Sequence, residues 1–268
     1  MTAPSIILLG YGSDDPRVAQ VSHDIRAGVL ARRPELDVHV AFVAGGTPTG
    51  SQVAARLARH GVKEAVVVPL LLSDAFGAHA EFPALVAQID AATSGVKVAA
   101  SRPVGPETQL LSVVDRRLRD SLRARRVAEL DALVFAALGS SDIRSNAIVT
   151  RRARQWATHH RLPCLTAFGA GSGPTAAEAV RTLRGQGRRH VAVGSWFLSP
   201  TSTFVREATA ALNAGAVAVS DPLGAGPEIA EVVLNRYVVA AMELVNVELA
   251  EIGEPEPVPH RHLRVVSA

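Results

Sequence analysis

The chain has 268 residues, of which 48% are hydrophobic, 28 are lysine or arginine and 25 are acidic. This is enough for one large or two ordinary globular domains, each with its own core. No apolar run approaches the ~20 residues of a membrane-spanning helix, and the N-terminal apolar segment lacks the basic region of a secretory signal. We therefore expect a cytoplasmic protein with no membrane partner.

Cysteine usage and the distribution of charge exclude two further classes. Cys164 is the single cysteine, which excludes an internal disulfide and a cysteine-based metal cluster, and its apolar surroundings favour a buried, inert thiol. Most arginine pairs lie in helix-like segments among acidic residues, as expected of solvated helix faces. Because no basic stripe alternates with aromatic residues, we expect no nucleic-acid partner.

The first half of the chain alternates strand-like and helix-like segments. A short apolar strand is predicted at Ile6–Gly10, followed by a turn in which Asp15 can cap a helix that begins at Pro16. Further strands are predicted at 36–43, from 65, and at 96–100. The helix from Pro16 is predicted to end near 32, and further helices at 51–60, from after 83 to about 92, and at 108–122. This alternation predicts a doubly wound parallel sheet.

The segment 66–83, VVVPLLLSDAFGAHAEFP, is the one around which the rest is organised. Its apolar run has no polar alternation, which is typical of a parallel strand covered by helices on both faces. In such sheets ligands bind beyond the carboxyl ends of the strands. We therefore expect the polar residues after this run to lie on the functional edge, namely Ser73, Asp74, His79 and Glu81.

The second half of the chain repeats the first at a nearly constant offset. The segment Gly61–Ser73, GVKEAVVVPLLLS, matches Gly187–Ser199, GRRHVAVGSWFLS, and the strand and Gly-Ser turn before Asp15 match those before Asp142. This period is too long for a solenoid, so it indicates two copies of one α/β domain. We expect domains at residues 1–125 and 126–248, and a disordered tail rich in proline and charge at 249–268.

Two glycine-rich turns resemble nucleotide-binding loops but lack the residues that such loops need. The turn GYGSDD has no third glycine, and its aspartates would repel a pyrophosphate. The turn GGTPTG is not followed by the lysine and hydroxyl residue of a P-loop. The sequence therefore predicts no organic cofactor.

Two segments together resemble a known family. The turn GYGSDDPR after the first strand and the segment VPLLLSDAF are similar to those of the sirohydrochlorin chelatases, small type II tetrapyrrole chelatases that insert cobalt or iron. The tandem halves resemble the double-length actinobacterial members, and the resemblance covers about residues 5–237. It implies two tandem flavodoxin-like, chelatase-like α/β domains whose parallel sheets face each other across a cleft. The implied ligand is sirohydrochlorin or a related polycarboxylate tetrapyrrole, in siroheme or cobalamin biosynthesis.

The sequence departs from this family at the two histidines that face each other across the cleft. Tyr11 stands at the first position and Gly77 at the second, where the nearest imidazole, His79, is displaced by two residues. The corresponding residues of the second half, Leu138 and Thr203, are not metal ligands either. The usual histidine pair is therefore absent from both halves.

Three accounts remain open from the sequence. In the first, the chain is an altered but working chelatase. In the second, it binds a tetrapyrrole without inserting metal, as a carrier, regulator or partner subunit. In the third, it is a two-domain sugar- or anion-binding protein, since a fold does not fix a function. Tyr11 could also simply pack across the sheet edge, and His79 could flank the start of a helix.

We favour the chelatase, because an imidazole and a carboxylate remain beside the end of the strand. In this account Tyr11, His79 and Glu81 handle protons, and His79 and Glu81 also ligate the metal. The expected substrate contacts are Ser13, Arg17 and Ser73. The divalent metal, Fe²⁺ or Co²⁺, is a co-substrate. Because the duplication can replace a homodimer interface of single-domain relatives, we expect a monomer.

Overall fold

A computed structural model of the chain describes residues 3–43, 45–73, 87, 89, 95–171 and 173–252. Within these ranges it contains two four-stranded parallel sheets. The sequence-based fold class, two parallel α/β sheets in tandem, is confirmed by this arrangement.

The first sheet has the strand order β2-β1-β3-β4, in which the order reverses beside β1. Its strands are β1 Ser5–Tyr11, β2 Val38–Val43, β3 Glu64–Pro69 and β4 Lys97–Ala100. The helices described in this half are α1 Pro16–Arg32, α2 Gly50–Arg59 and α3 Leu111–Ala124, the last preceded by a 3₁₀ turn at Thr108–Leu110. Ile6 to Leu9 and Ala65 to Val68 are almost fully buried, which explains why the central strands are continuously apolar.

The second sheet repeats this order as β6-β5-β7-β8. Its strands are β5 Ala132–Ala137, β6 Cys164–Phe168, β7 Val191–Trp196 and β8 Ala218–Val219. The helices are α4 Ile143–His160, α5 Ala176–Gly185, α6 Ser202–Asn213 and α7 Pro227–Ile252. The order 2-1-3-4 in both sheets is that of flavodoxin-like folds without their fifth strand.

The two halves exchange helices. The helix α3, which follows the first sheet in sequence, packs against β7 and β8 of the second sheet. The last helix, α7, packs back against α1, β3 and β4 of the first sheet. As a result, one apolar cluster contains core residues of both sheets, among them Ile6 and Leu133.

Polar contacts also join the exchanged helices and the two halves. Arg116 of α3 forms an ion pair with Glu228 of α7, with 2.6 Å between Nη1 and Oε1. On α7, Arg236 donates to the carbonyl oxygen of Pro103 at 2.8 Å and pairs with Glu107. The indole Nε1 of Trp196 donates to the carbonyl oxygen of Leu72 at 3.0 Å. These bonds hold the carboxyl edges of the two sheets in one arrangement.

Two predicted segments lie partly outside the described residues, namely the helix after residue 83 and the C-terminal tail. The helix predicted after residue 83 lies outside the described residues except for 87 and 89, which are helical. We expected a disordered tail from residue 249, but α7 continues to Ile252. The reason is that Leu249, Ala250 and Glu251 favour helix, so the helical segment includes the first residues of the predicted tail. The rest of that tail, 253–268, lies outside the described residues.

None of the helices in the described part of the chain is both long and apolar enough to span a membrane.

Candidate functional site

A cavity of about 280 Å³ lies where the carboxyl ends of the central strands of both sheets meet. Tyr11 ends β1, and Leu138 directly follows β5 at the equivalent place in the second sheet. The segments after β3 and β7 complete the walls. The cavity therefore occupies the switch point of both sheets, where ligands of open α/β folds usually bind.

The cavity walls are mainly apolar. Aliphatic and aromatic side chains form most of the surface, among them Val18, Leu70, Leu72, Leu138, Val149, Trp196 and Phe197. Small polar groups are placed between them, namely Ser22, Ser73, Ser140, Asn146, Ser199 and Thr201. Within the described ranges the lining contains no histidine, carboxylate, lysine or arginine. These walls can hold a largely apolar molecule and give it a few hydrogen bonds.

Two matching turns form the floor of this site. In the first, the backbone N–H of Asp15 donates to Oγ of Ser13 at 3.1 Å, and Asp15 caps α1. In the second, the N–H of Asp142 donates to Oγ of Ser140 at 3.0 Å, and Asp142 caps α4. The predicted Gly-Ser-Asp turn is therefore built in the same way in both halves.

The second turn is held more firmly than the first. Asn146, which is buried, accepts a hydrogen bond from the N–H of Ser140 at 2.9 Å and donates to its carbonyl oxygen at 2.8 Å. Gly139 has φ of 80°, and a Cβ there would lie 2.2 Å from the carbonyl oxygen of Ala170. Only glycine fits this position. Asn146 was not predicted from the sequence, although its place beside a repeated turn was a usable signal.

The arginines beside the two caps differ in their partners. Arg17 forms an ion pair with Asp15, with Nη2 2.6 Å from Oδ2, and this hydrogen bond holds the pKa of Asp15 below its usual value of 3.8. The pKa of Asp142 is also lowered, chiefly by the backbone N–H of Arg144. The Arg144 side chain makes no hydrogen bond or ion pair with any other described residue.

The two halves also differ in the residue that follows each arginine. Oδ2 of Asp142 accepts a hydrogen bond from the hydroxyl of Ser145 at 3.2 Å. The equivalent residue of α1 is Val18, which has no hydroxyl, and Oδ2 of Asp15 accepts hydrogen bonds from Arg17. Arg144 is exposed in the first turn of α4, next in sequence to Ile143, which is 77% exposed.

The structure brings only some of the predicted site residues to the cavity. Tyr11, which is 37% exposed, and Ser73 line it. Ser13 and Arg17 lie in the turn and cap beside it, each bonded within that turn. The remaining candidates, Asp74, His79 and Glu81, lie outside the described residues.

Cys164 has no place in this site. It begins β6 at the opposite edge of the second sheet, and burial raises the pKa of its thiol to about 12. A thiol that stays protonated is a poor nucleophile and a poor metal ligand, as the sequence predicted.

Comparisons with known proteins give a consistent result. The model of the CbiX family matches residues 5–121 and again residues 132–240. A sirohydrochlorin cobaltochelatase from Priestia megaterium is 24% identical over 202 residues, which cover 72% of this chain and 64% of that protein. The chain thus spans less than two thirds of the length of this relative.

Solved structures share the fold. SirB from Bacillus subtilis, determined with Fe³⁺, matches with a TM-score of 0.71 at 19% identity, covering 91% of this chain and 98% of that one. A CbiX described as the terminal enzyme of siroheme biosynthesis in denitrifying bacteria matches with a TM-score of 0.63 at 20% identity, covering 88% and 99%. At these low sequence identities, the matches show that the fold is shared, including the arrangement of the two sheets.

Proposed function

The chain belongs to the CbiX family, as its sequence motifs indicated, and we propose that it is a tetrapyrrole metal chelatase. Its substrates are a divalent metal ion, Fe²⁺ or Co²⁺, and sirohydrochlorin or a related polycarboxylate tetrapyrrole, in siroheme or cobalamin formation. The observation that carries this proposal is the apolar cavity between the carboxyl edges of the two sheets. The cobaltochelatase named above supports the same reaction class.

The apolar walls suit the flat face of a macrocycle. Leu138 is 45% exposed at the cavity, and Ile143 is exposed beside it. Burial of such side chains against a ring system is favourable because apolar surface is removed from water. The carboxylates of the substrate then have to remain at the rim, since the described lining offers them no positive charge.

Arg144 is positioned to bind one of these rim carboxylates. Its guanidinium carries two parallel donors that match a carboxylate, and it is not engaged by Asp142. Arg17, which we predicted for this role from the sequence, would first have to leave Asp15. We therefore assign the larger share of carboxylate binding to Arg144, with Ser13 and Ser73 as candidate hydrogen-bond donors.

Insertion exchanges two protons for one metal ion. The metal binds the ring nitrogens as two pyrrole N–H groups lose their protons, so the site needs a metal ligand and proton acceptors. His79 and Glu81 are proposed as the metal ligands and Tyr11 as a proton relay. A phenol with a pKa of ~10 is a weaker ligand than an imidazole, so metal should be held less tightly here than by a histidine pair.

Anaerobic insertion of Co²⁺ into sirohydrochlorin, followed by absorbance, tests this proposal. We expect insertion above the uncatalysed rate in the wild type and its loss in His79→Ala. The matched control is His60→Ala, which replaces an exposed imidazole at the end of α2 and should insert metal normally. Tight macrocycle binding with only background insertion would instead indicate a carrier, and no macrocycle binding would refute both.

We also propose that the chain acts as a monomer, because each of its halves supplies one wall of the cavity. Elution at twice the monomer mass in size-exclusion chromatography with light scattering would contradict this.

A further inference from the structure

A second group of metal-ligating side chains lies where α3 and α4 meet, remote from the cavity. Asp115 belongs to α3, and His159 and His160 form the end of α4. One donor atom of each lies within 4.8 Å of the donor atoms of the other two. The site therefore combines two imidazoles and one carboxylate from two helices.

Two of these ligands are already oriented by their surroundings. The side chain of Asp115 is 11% exposed, and its Oδ1 accepts a hydrogen bond from Nε1 of Trp156 at 2.5 Å. Nε2 of His160 lies 2.7 Å from the same oxygen. The buried ring of Trp156 contacts His160 edge to face, with centroids 5.3 Å apart. Hydrogen bonds from groups outside the ligand set, such as that of Trp156 to Asp115, commonly orient ligands around metals.

An ion fits this group with little rearrangement. Ligands at ~2.1 Å from a tetrahedral ion are about 3.4 Å from one another. Nε2 of His160 and Oδ1 of Asp115, now 2.7 Å apart, therefore have to give up their hydrogen bond and separate by ~0.7 Å, while the donor atom of His159 has to approach by at most ~1.4 Å. His159 is exposed, and rotation of its side chain can supply this movement. Its exposure also leaves the remaining coordination positions open to water.

The ligand types select the class of ion. Two imidazoles and a carboxylate suit borderline divalent ions such as Zn²⁺, Co²⁺ and Ni²⁺ better than the oxygen-preferring Mg²⁺ or Ca²⁺. Another imidazole and carboxylate pair, that of His39 and Asp37, has a cation in place of a third ligand. Nε2 of His39 also lies 2.7 Å from a carboxylate, that of Asp37, but its Nδ1 is 3.2 Å from the cationic Arg56.

We propose that Asp115, His159 and His160 form an accessory site for a divalent transition-metal ion that ties the exchanged helix α3 to α4. The site is separate from the cavity, because His159 and His160 are 10 and 11 residues beyond Val149, the last cavity-lining residue of the same helix, or about 15 Å. The proposal does not rest on the proposed function, since it concerns metal binding between α3 and α4 and not in the cavity.

Co²⁺ titration of the full chain tests the site, because nitrogen-ligated Co²⁺ has visible d–d absorption. The starting variant carries His79→Ala, His260→Ala and His262→Ala, which removes the imidazoles of the proposed cavity site and of the tail. We expect this variant to bind one Co²⁺ with a d–d band. We also expect its melting temperature to rise by about 5 °C when Co²⁺ exceeds Kd a hundredfold.

Adding His159→Ala to this starting variant is the decisive change. It leaves the bond between Asp115 and His160 in place, so the metal-free protein should melt as before while the band and the stabilisation are lost. His160→Ala should abolish the band as well, and His39→Ala should leave both readouts unchanged. A band that survives His159→Ala and His160→Ala, or no band in the starting variant, would overturn the proposal.

Discussion

The duplicated caps offer an internal comparison for substrate binding. Arg144→Gln removes a guanidinium that no described residue engages, whereas Arg17→Gln removes one that is held by Asp15. Charge-assisted hydrogen bonds contribute about 1.5–3 kcal/mol when shielded from water and less at an exposed rim. We therefore expect Arg144→Gln to raise the Kd for sirohydrochlorin about tenfold, which corresponds to ~1.4 kcal/mol.

The effect of Arg17→Gln should be smaller. The carboxylate of the substrate would have to displace Asp15, which makes three contacts of 2.6 to 3.1 Å with this guanidinium. We expect an increase in Kd of less than about threefold. Ser145→Ala should lie between the two, because Oδ2 of Asp142 then becomes available to Arg144 as it is to Arg17 in the first half.

The assay is an anaerobic titration of each variant with sirohydrochlorin in the absence of metal, followed by the change in absorbance. Thermal melts of the variants verify that all remain folded. The loss caused by Arg144→Gln should shrink as ionic strength rises, since exposed charges are screened. Equal losses for Arg144→Gln and Arg17→Gln, or none for Arg144→Gln, would refute the argument from their different partners.

Three further predictions concern chemistry and stability. Tyr11→Phe keeps the ring and removes the hydroxyl. If the phenol relays a proton, steady-state kinetics should show kcat reduced about a hundredfold with KM little changed. A change in KM alone would indicate that Tyr11 only packs against the substrate. Glu228, whose pKa the hydrogen bond from Arg116 holds below its usual 4.5, stabilises the fold above that pH and loses this contribution as pH falls through its folded pKa. Denaturant unfolding of Glu228→Gln should therefore show a loss of about 0.5 kcal/mol at pH 7 that disappears once the pH has fallen below the lowered pKa of Glu228 in the folded protein. Cys164, whose thiol has a pKa of about 12, should resist iodoacetamide at pH 8, as measured by intact mass, and rapid alkylation would contradict its burial.

The elements of the fold were predictable because their signals are local. The continuous apolar run of β3 indicated a buried parallel strand, and Asp15 before Pro16 indicated the start of α1. The repeat between Gly61–Ser73 and Gly187–Ser199 then predicted a second sheet of the same order. The first two inferences depend on residues that are neighbours in sequence, and the third on the similarity of two such local patterns.

The exchange of helices was not predictable in this way. The amphipathic pattern of α3 shows that one face is buried but not which sheet buries it. The same holds for the partners of polar groups. The sequence places an arginine after both caps, but only the structure shows that Asp15 pairs with Arg17 whereas Asp142 accepts a hydrogen bond from Ser145. Ser73 was predicted from the end of its strand and Tyr11 from the family resemblance, and both line the cavity. Their roles, like those of His79 and Glu81, stay predictions.

The exchanged helices also determine the order in which the protein can mature on the ribosome. All strands of the first sheet have been synthesised once Ala100 is complete, but the helix that covers α1, β3 and β4 begins only at Pro227. Until then an apolar face of this sheet lacks its cover, and contacts so distant in sequence form slowly. A nascent chain released near residue 125 should therefore aggregate rather than persist as a soluble half-molecule. Although the sequence is a tandem repeat, each copy supplies a helix that covers the sheet of the other.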